Sequence, residues 1–216
     1  MLRSAGVKQL LIVLMGWVIV GSLGAAFAES GMKNMEKGET TIEKATFAGG
    51  CFWCMQPPYD RIKGVLSTTV GYTGGEKPNP TYEEVSMGNT GHAEAVEIMY
   101  DPSQVSYEQL LDLFWKNIDP TTLNQQFSDR GTQYRTAIFY YSEEQKKLAI
   151  ASKEKLEKSG KFRGSIVTEI IPASPFYPAE DYHQKYYKKC PVPYQLYKTG
   201  SGRKGFIQKT WGGEDH

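Results

Sequence analysis

The run from Ile42 to Ala48, closed by Gly49-Gly50, constrains the fold more than any other stretch of the chain. An apolar-rich segment of that length ending in turn residues is the pattern of a buried strand. Paired glycines let the backbone turn tightly and let another group approach it closely. A helix is expected to start at Cys51 or Phe52 and to end before Gly64, although Pro57 and Pro58 are awkward inside it. Each proline removes one helical hydrogen bond and crowds the turn before it. Strand, tight turn and helix in this order place Cys51 at one end of a sheet.

Downstream, Val65 to Tyr72 is rich in β-branched residues and enters a loop at Thr73-Gly74-Gly75, and Ala93 to Tyr100 sets Ala, Val and Ile against Glu. Both read as strands. The stretch between them, through Pro78, Asn79, Pro80, Gly88 and Gly91, reads as loop. Ser106 with Gln109 forms a capping box before a helix whose apolar face is Leu110, Leu111, Leu113, Phe114 and Ile118. Tyr134 to Tyr141 is a further strand, and Ser142 with Gln145 a second capping box for a helix stopping near Gly160. Ile166 to Ile171 is another strand. A last helical stretch, Ala179 to Lys189, precedes a Pro-rich tail at Pro191 and Pro193, which reads as mobile. The expected fold class is α+β, a two-layer sandwich with a ferredoxin-like βαββαβ core and a C-terminal helical or irregular extension. In that arrangement helices cover one face of a mostly antiparallel sheet.

The first 28 residues stand apart. Arg3 and Lys8 give a positive start, Leu10 to Ala28 carry no charge, and Ala26-Phe27-Ala28 has the small-x-small pattern that signal peptidase cuts. Residues 1–28 are therefore read as a signal peptide, with an uncleaved membrane anchor as the alternative. Gly16, Gly21, Ser22 and Gly24 weaken that alternative. Residues 29–41, rich in Gly, Ser, Lys, Glu and Asn, read as a flexible mature N-terminus. Residues 42–216 read as a single domain, since they show no linker or repeat. The expected location is the periplasm or another extracytoplasmic space. A formal net charge of +1 argues against nucleic acid or an anionic surface as the main partner.

Export bears on the three cysteines, because thiols outside the cytoplasm tend to end in disulfides. An odd number leaves one free or cycling. The thiolate is the nucleophilic form, and a cysteine at a helix N-terminus gains from the macrodipole and from unpaired N–H groups. Cys51 fits that place. Cys54, three residues on, faces the same side of the helix and can pair with it. Other readings compete. A structural Cys51–Cys54 bridge closes too small a loop to stabilise much. A zinc site would need Cys190 and one of His92, His183 or His216 at poor spacing. A thioredoxin-type disulfide oxidoreductase using Cys51 and Cys54 competes on the four-residue motif alone. Against it, the intervening Phe52 and Trp53 suit an apolar substituent better than a docked peptide disulfide. From a different class, the chain reads as an exported binding domain whose cysteines form structural bridges.

Several ordered stretches narrow this choice: Gly50-Cys51-Phe52-Trp53, Gly71-Tyr72-Thr73-Gly74-Gly75, Pro80-Thr81-Tyr82, Gly91-His92-Ala93-Glu94, Asp119-Pro120-Thr121, Asp129-Arg130-Gly131-x-x-Tyr134-Arg135 and Ala179-Glu180-Asp181-Tyr182-His183-Gln184. Through them the chain resembles the peptide methionine sulfoxide reductase A family over almost its whole length after residue 45. The resemblance implies thiol-dependent reduction of the S epimer of methionine sulfoxide, free or in proteins, as repair after oxidation. It implies Cys51 as the attacking thiolate and Glu94 as the acid, which must be protonated near neutral pH. Tyr82 and Tyr134 would hydrogen-bond the sulfoxide oxygen. Phe52 and Trp53 would hold the S-methyl group, and Asp129 would orient the substrate's main-chain amide. His183 reads as a structural hydrogen-bonding residue.

The first product would be a sulfenic acid on Cys51, which a second thiol converts to a disulfide that an external reductant opens. Many relatives place that resolving cysteine directly after a tyrosine corresponding to Tyr194, where this chain has Gln195. Cys54 is the favoured resolver by helix spacing, with Cys190 as the alternative or as the second thiol of a relay. The expected reductant is thioredoxin or a thioredoxin-like protein. No metal or organic cofactor is implied, and a monomer is expected.

Overall fold

The computed structural model describes residues 41–212, so the expected leader at 1–28, the polar stretch up to residue 40 and residues 213–216 lie outside it. Strand β1 (Glu43–Gly49) runs through the Gly50-Cys51 turn into helix α1 (Phe52–Asp60). Both prolines lie inside α1, and the bonds they forgo are those to the carbonyls of Trp53 and Cys54. The helix ends two residues after Pro58. Strands β2 (Val65–Thr73) and β3 (Ala93–Tyr100) form as expected. The segment between them holds a short helix, α2 (Tyr82–Ser86), where loop is expected. Five residues are too few for a periodic signal, but Thr81-x-x-Glu84 is a complete capping box.

Ser106 and Gln109 cap α3 (Tyr107–Lys116) reciprocally. A small ribbon, β4 (Gln125–Gln126) with β5 (Asp129–Arg130), and a 3-10 turn at Thr132–Tyr134 follow. That turn delays β6 (Thr136–Tyr140) to two residues beyond its expected start. Helix α4 (Glu143–Lys158) has only half its expected box: Ser142 accepts from the Gln145 N–H, but the Gln145 side chain accepts from Tyr141 N–H and donates to Lys44 O. Strand β7 is confined to Glu169–Pro172, where it has β6 to pair with, while Ile166 packs into the core outside any strand. Strand β8 (Tyr177–Pro178) has no counterpart among the expected elements.

The C-terminal segment departs most from expectation. Of Ala179–Lys189 only α5 (Tyr186–Lys189) is helical. The Gln184 side chain instead bonds both backbone groups of Val70 on β2, and Lys185 adopts a left-handed φ of +54°. The tail expected to be mobile folds as α6 (Pro191–Gly200) and α7 (Arg203–Trp211). Pro191 and Pro193 sit in the first turn of α6, where a helix has no N–H bond to lose.

The main sheet runs β7-β6-β1-β3-β2-β8, antiparallel at every pairing except β6–β7, so the fold is a mixed α+β one. One face carries Phe47, Val96, Ile98 and Ile138 against α1, α3 and α4. Phe47 sits between the rings of Tyr59, Tyr107 and Phe114 at 5.3–5.9 Å, and such a burial contributes about 2 kcal/mol. The opposite face, with Ala48, Ala95, Ala137 and Phe139, is covered by Ile171, Ala173 and Phe176. The β1–α1 turn is the tightest point. Gly50 has φ +77°, and a Cβ there would stand 2.4 Å from the Gln126 Cβ. Gly50→Ala is expected to cost about 2 kcal/mol or more, read as a lower urea midpoint. An unchanged midpoint would refute this account of the turn.

Candidate active site

The turn presents Cys51 immediately before α1, with its sulfur free of any capping role. The first N–H of the helix, that of Phe52, donates to Glu94 Oε2 at 3.0 Å, and the Cys54 N–H donates to Cys51 O at 3.1 Å. Glu94 comes from β3 on the strand face it shares with Val96 and Ile98, opposite Tyr72 of β2. Burial pushes its carboxyl up to about 8, against the pull of the Phe52 N–H, and the neighbouring Asp129 pushes the same way. Glu94 therefore carries a proton at neutral pH.

Cys51 is 6% exposed, and burial drives its thiol up, reinforced by a hydrogen bond to Cys54. Cys54 is displaced the other way because it accepts that bond, with Arg203 and Lys198 adding positive charge against its own burial. Of the two thiols Cys51 is the hydrogen-bond donor and Cys54 the more readily ionised. Cys54 lies behind Cys51, which alone of the two faces a cavity of about 240 Å³.

Phe52 and Trp53 line that cavity, together with Tyr82, Tyr134 and Asp129. Every residue expected at the substrate site is brought together. Trp53 is held on three sides. It stacks on Tyr186 at 4.0 Å, meets Tyr197 edge-on at 6.0 Å, and donates its indole N–H to His183 Nδ1 at 3.0 Å. His183 is buried among Phe52, Tyr82 and Tyr182, and burial lowers its basicity, so it stays neutral. Tyr82 is fixed from the backbone: its N–H donates to Glu180 at 2.9 Å, and Tyr72 O–H donates to the same carboxylate at 2.8 Å. Burial, then the neighbouring Glu94, raises the phenols of Tyr82 and Tyr134, which remain hydrogen-bond donors.

Two residues of the site lie outside the expected set. Tyr197 of α6 lines the cavity, donates to Asp129, and reaches the Cys51 sulfur. Arg203 of α7 is buried against the turn itself. Both come from the tail, and nothing local in the sequence marks them. Cys190 sits at the α5–α6 junction, partly exposed and outside the cavity lining. Among the described residues no group of His, Cys, Asp and Glu is gathered closely enough to hold a metal ion.

A protein-family model described as peptide methionine sulfoxide reductase matches residues 43–215. The chain belongs to that family. Among curated relatives, a peptide methionine sulfoxide reductase MsrA of Bacillus licheniformis is 58% identical over 170 residues, 79% of this chain and 94% of that protein. The Bacillus subtilis MsrA is likewise 58% identical over 170 residues, 79% and 96% of the two chains. Among solved structures, reduced Mxr1 from Saccharomyces cerevisiae aligns with a TM-score of 0.66 and 35% identity, over 69% of this chain and 86% of that one. Methionine sulfoxide reductase A of Corynebacterium diphtheriae gives 0.64 and 36%, over 72% and 78%. The chain is therefore an enzyme that reduces methionine sulfoxide, and the disulfide oxidoreductase and binding-domain readings fall away.

Proposed function

We propose that the enzyme reduces the S epimer of methionine sulfoxide, free or in proteins, through a Cys51 sulfenic acid and a Cys51–Cys54 disulfide. The observation that carries this is a carboxyl protonated at neutral pH, Glu94, tied to the first N–H of the helix that Cys51 opens. Because Phe52 N–H occupies Oε2, the proton of Glu94 belongs on Oε1, free to be given to the sulfoxide oxygen. Cys51 gives up its proton to solvent through the cavity it faces, and its thiolate attacks the sulfoxide sulfur. The oxygen, protonated by Glu94, ends on Cys51, and methionine leaves. Tyr82 and Tyr134 donate to that oxygen as charge builds on it. Phe52 and Trp53 hold the S-methyl group, and Asp129, kept in place by Tyr197, orients the substrate's main chain.

Cys54 then attacks the sulfenic sulfur, and water is lost. Its proximity and its hydrogen bond to Cys51 support this role over Cys190. The segment bearing Cys190 is tied to α1 and β2 by Lys185 and Tyr187 on Asp60 and by Gln184 on Val70, so its approach would break several bonds. Cys54→Ser is expected to release about one methionine per enzyme and then stop, while Cys190→Ser keeps cycling. Both are read by counting methionine from S-methionine sulfoxide with a thioredoxin as the reductant and no small thiol, which would reduce the sulfenic acid directly. Undiminished cycling of Cys54→Ser would remove it as resolver.

A thioredoxin-like dithiol closes the cycle. We read the enzyme as exported, repairing oxidised proteins in the periplasm or a comparable space, on the strength of the leader pattern at 1–28. A mature N-terminus found at Met1 by mass spectrometry would undo the cleavage. The family match over 43–215 supports a single catalytic domain from 42 to 216. Within it, β6-β1-β3-β2, antiparallel throughout and connected through α1 and α3, reads as a ferredoxin-like split βαβ.

A further inference from the structure

Beneath the reactive turn lies a charge to which the chemistry of Cys51 and Glu94 assigns no role. Arg203 is the first residue of α7 and is 1% exposed, among the largest fully buried side chains of the described residues. Its guanidinium reaches back to the β1–α1 turn. Nη2 donates to Gly49 O at 2.8 Å, and Nη1 donates to Asn117 O at 2.5 Å and lies 3.5 Å from Met55 Sδ. The guanidinium carbon stands 4.7 Å over the Phe127 ring. Among the described residues Arg203 forms no ion pair.

Two neutral carbonyls and a ring compensate a buried cation only in part, and an unpaired buried charge is costly. A clamp on two carbonyls alone would be cheaper with a neutral amide. The missing negative charge has a source at the same turn. After the hydrogen bond from Cys51, Arg203 is the leading influence that draws the Cys54 thiol down, with Lys198 beside it and Asp129 opposing. Arg203 also draws Glu94 down, against burial, Asp129 and Cys54.

We propose that Arg203 is a positioning residue for the resolving step, clamping the Gly49 carbonyl and holding negative charge on Cys54 as that sulfur attacks the Cys51 sulfenic acid. This rests on Cys54 being the resolving thiol. In that step the Cys54 S–H proton is lost, the S–S bond forms and the S–O bond of Cys51 breaks. The departing hydroxide leaves as water after taking one proton. Cys54 sulfur is oxidised and the sulfenic sulfur reduced, so no outside oxidant enters.

The test is a rapid-quench series with S-methionine sulfoxide, following the methionine burst and disulfide formation separately across the pH range where Cys and Glu titrate. In the unaltered enzyme the acid limb of disulfide formation should lie below the ordinary cysteine value of about 8.5. A limb at or above that value overturns the proposal without any variant. In Arg203→Gln both the acid limb of disulfide formation and the alkaline limb of the burst should move up by about one pH unit, a roughly tenfold slower disulfide step below its limb. Arg203→Lys, which keeps the charge but cannot span both carbonyls, should leave both limbs near their original places. Rates that drop at every pH with neither limb moved mean a structural clamp and overturn the proposal. So does a Lys variant whose limbs move as far as those of Gln. Continued cycling of Cys54→Ser would instead sink the assignment of the resolving thiol.

Discussion

Cys51→Ala should release no methionine even in the first turnover, a loss of at least about ten-thousand-fold in the rate of the first step. The change removes one sulfur from a turn whose backbone is fixed by Gly50 and by the Phe52–Glu94 hydrogen bond, so the fold should survive it. Cys54 cannot substitute, because it is 1% exposed and does not line the cavity where the sulfoxide binds. The contrast with Cys54→Ser is what gives the result its meaning. Loss of the attacker abolishes the burst, whereas loss of the resolver preserves the burst and abolishes every later turnover. Reduced variant mixed with substrate, quenched within one turnover and assayed for methionine, reads this directly. One methionine per enzyme from Cys51→Ala would show that another group attacks sulfur, and the assignment of the turn would fail.

That turn is the most legible part of the chain, because a short apolar run ending in two glycines has few alternatives. The central strands are nearly as clear. β3 repeats Ala, Val and Ile at strand spacing, and α3 carries both halves of its capping box. Glu94, by contrast, is singled out in the sequence only by the resemblance, and burial in the folded sheet is what separates it from Glu97. Glu94 has the same strand parity as Val96, Ile98 and Tyr100, all fully buried, whereas Glu97 has the opposite parity and pairs with Lys44 at 2.9 Å. In the sequence alone each parity of β3 carries one carboxyl among apolar residues, Glu97 standing with Ala93, Ala95 and Met99, so local pattern does not choose between them.

The tail defeats local reading for a physical reason. Pro191 and Pro193 look like breakers, yet proline breaks a helix only beyond its first turn. Once α6 and α7 are helices, Tyr197 and Arg203 reach the turn across more than 140 residues of sequence, the latter spanning 154 positions to Gly49. Local pattern carries no record of such a contact. One tyrosine among 14 and one cation among 25 acquire their roles only by tertiary placement. The same segment places Cys190, since α5 is tied to Asp60 at the end of α1 through Tyr187 and Cys190 lies outside the cavity lining.

Glu94→Gln should slow the first step by about a hundred- to ten-thousand-fold and remove its alkaline limb. Glutamine keeps the shape, can accept from Phe52 N–H and can donate a hydrogen bond to the sulfoxide oxygen, but it cannot transfer a proton. The variant therefore separates hydrogen bonding from proton delivery. In the unaltered enzyme the burst rate should fall as pH rises through about 8, where the buried carboxyl ionises. Stability carries the same sign. The folded protein holds a proton on Glu94 up to about 8, whereas the unfolded chain releases it near the ordinary value of 4.5. Across that window the folded state binds the extra proton, so the stability it contributes at low pH is lost progressively as pH rises. Glu94→Gln has no proton to lose there, and its urea midpoint should decline less between those two values than that of the unaltered protein. A variant that turns over at the original rate would remove Glu94 as the acid. A variant that is slow but keeps the alkaline limb near 8 would assign that limb to another group, the Cys51–Cys54 pair being the next to examine.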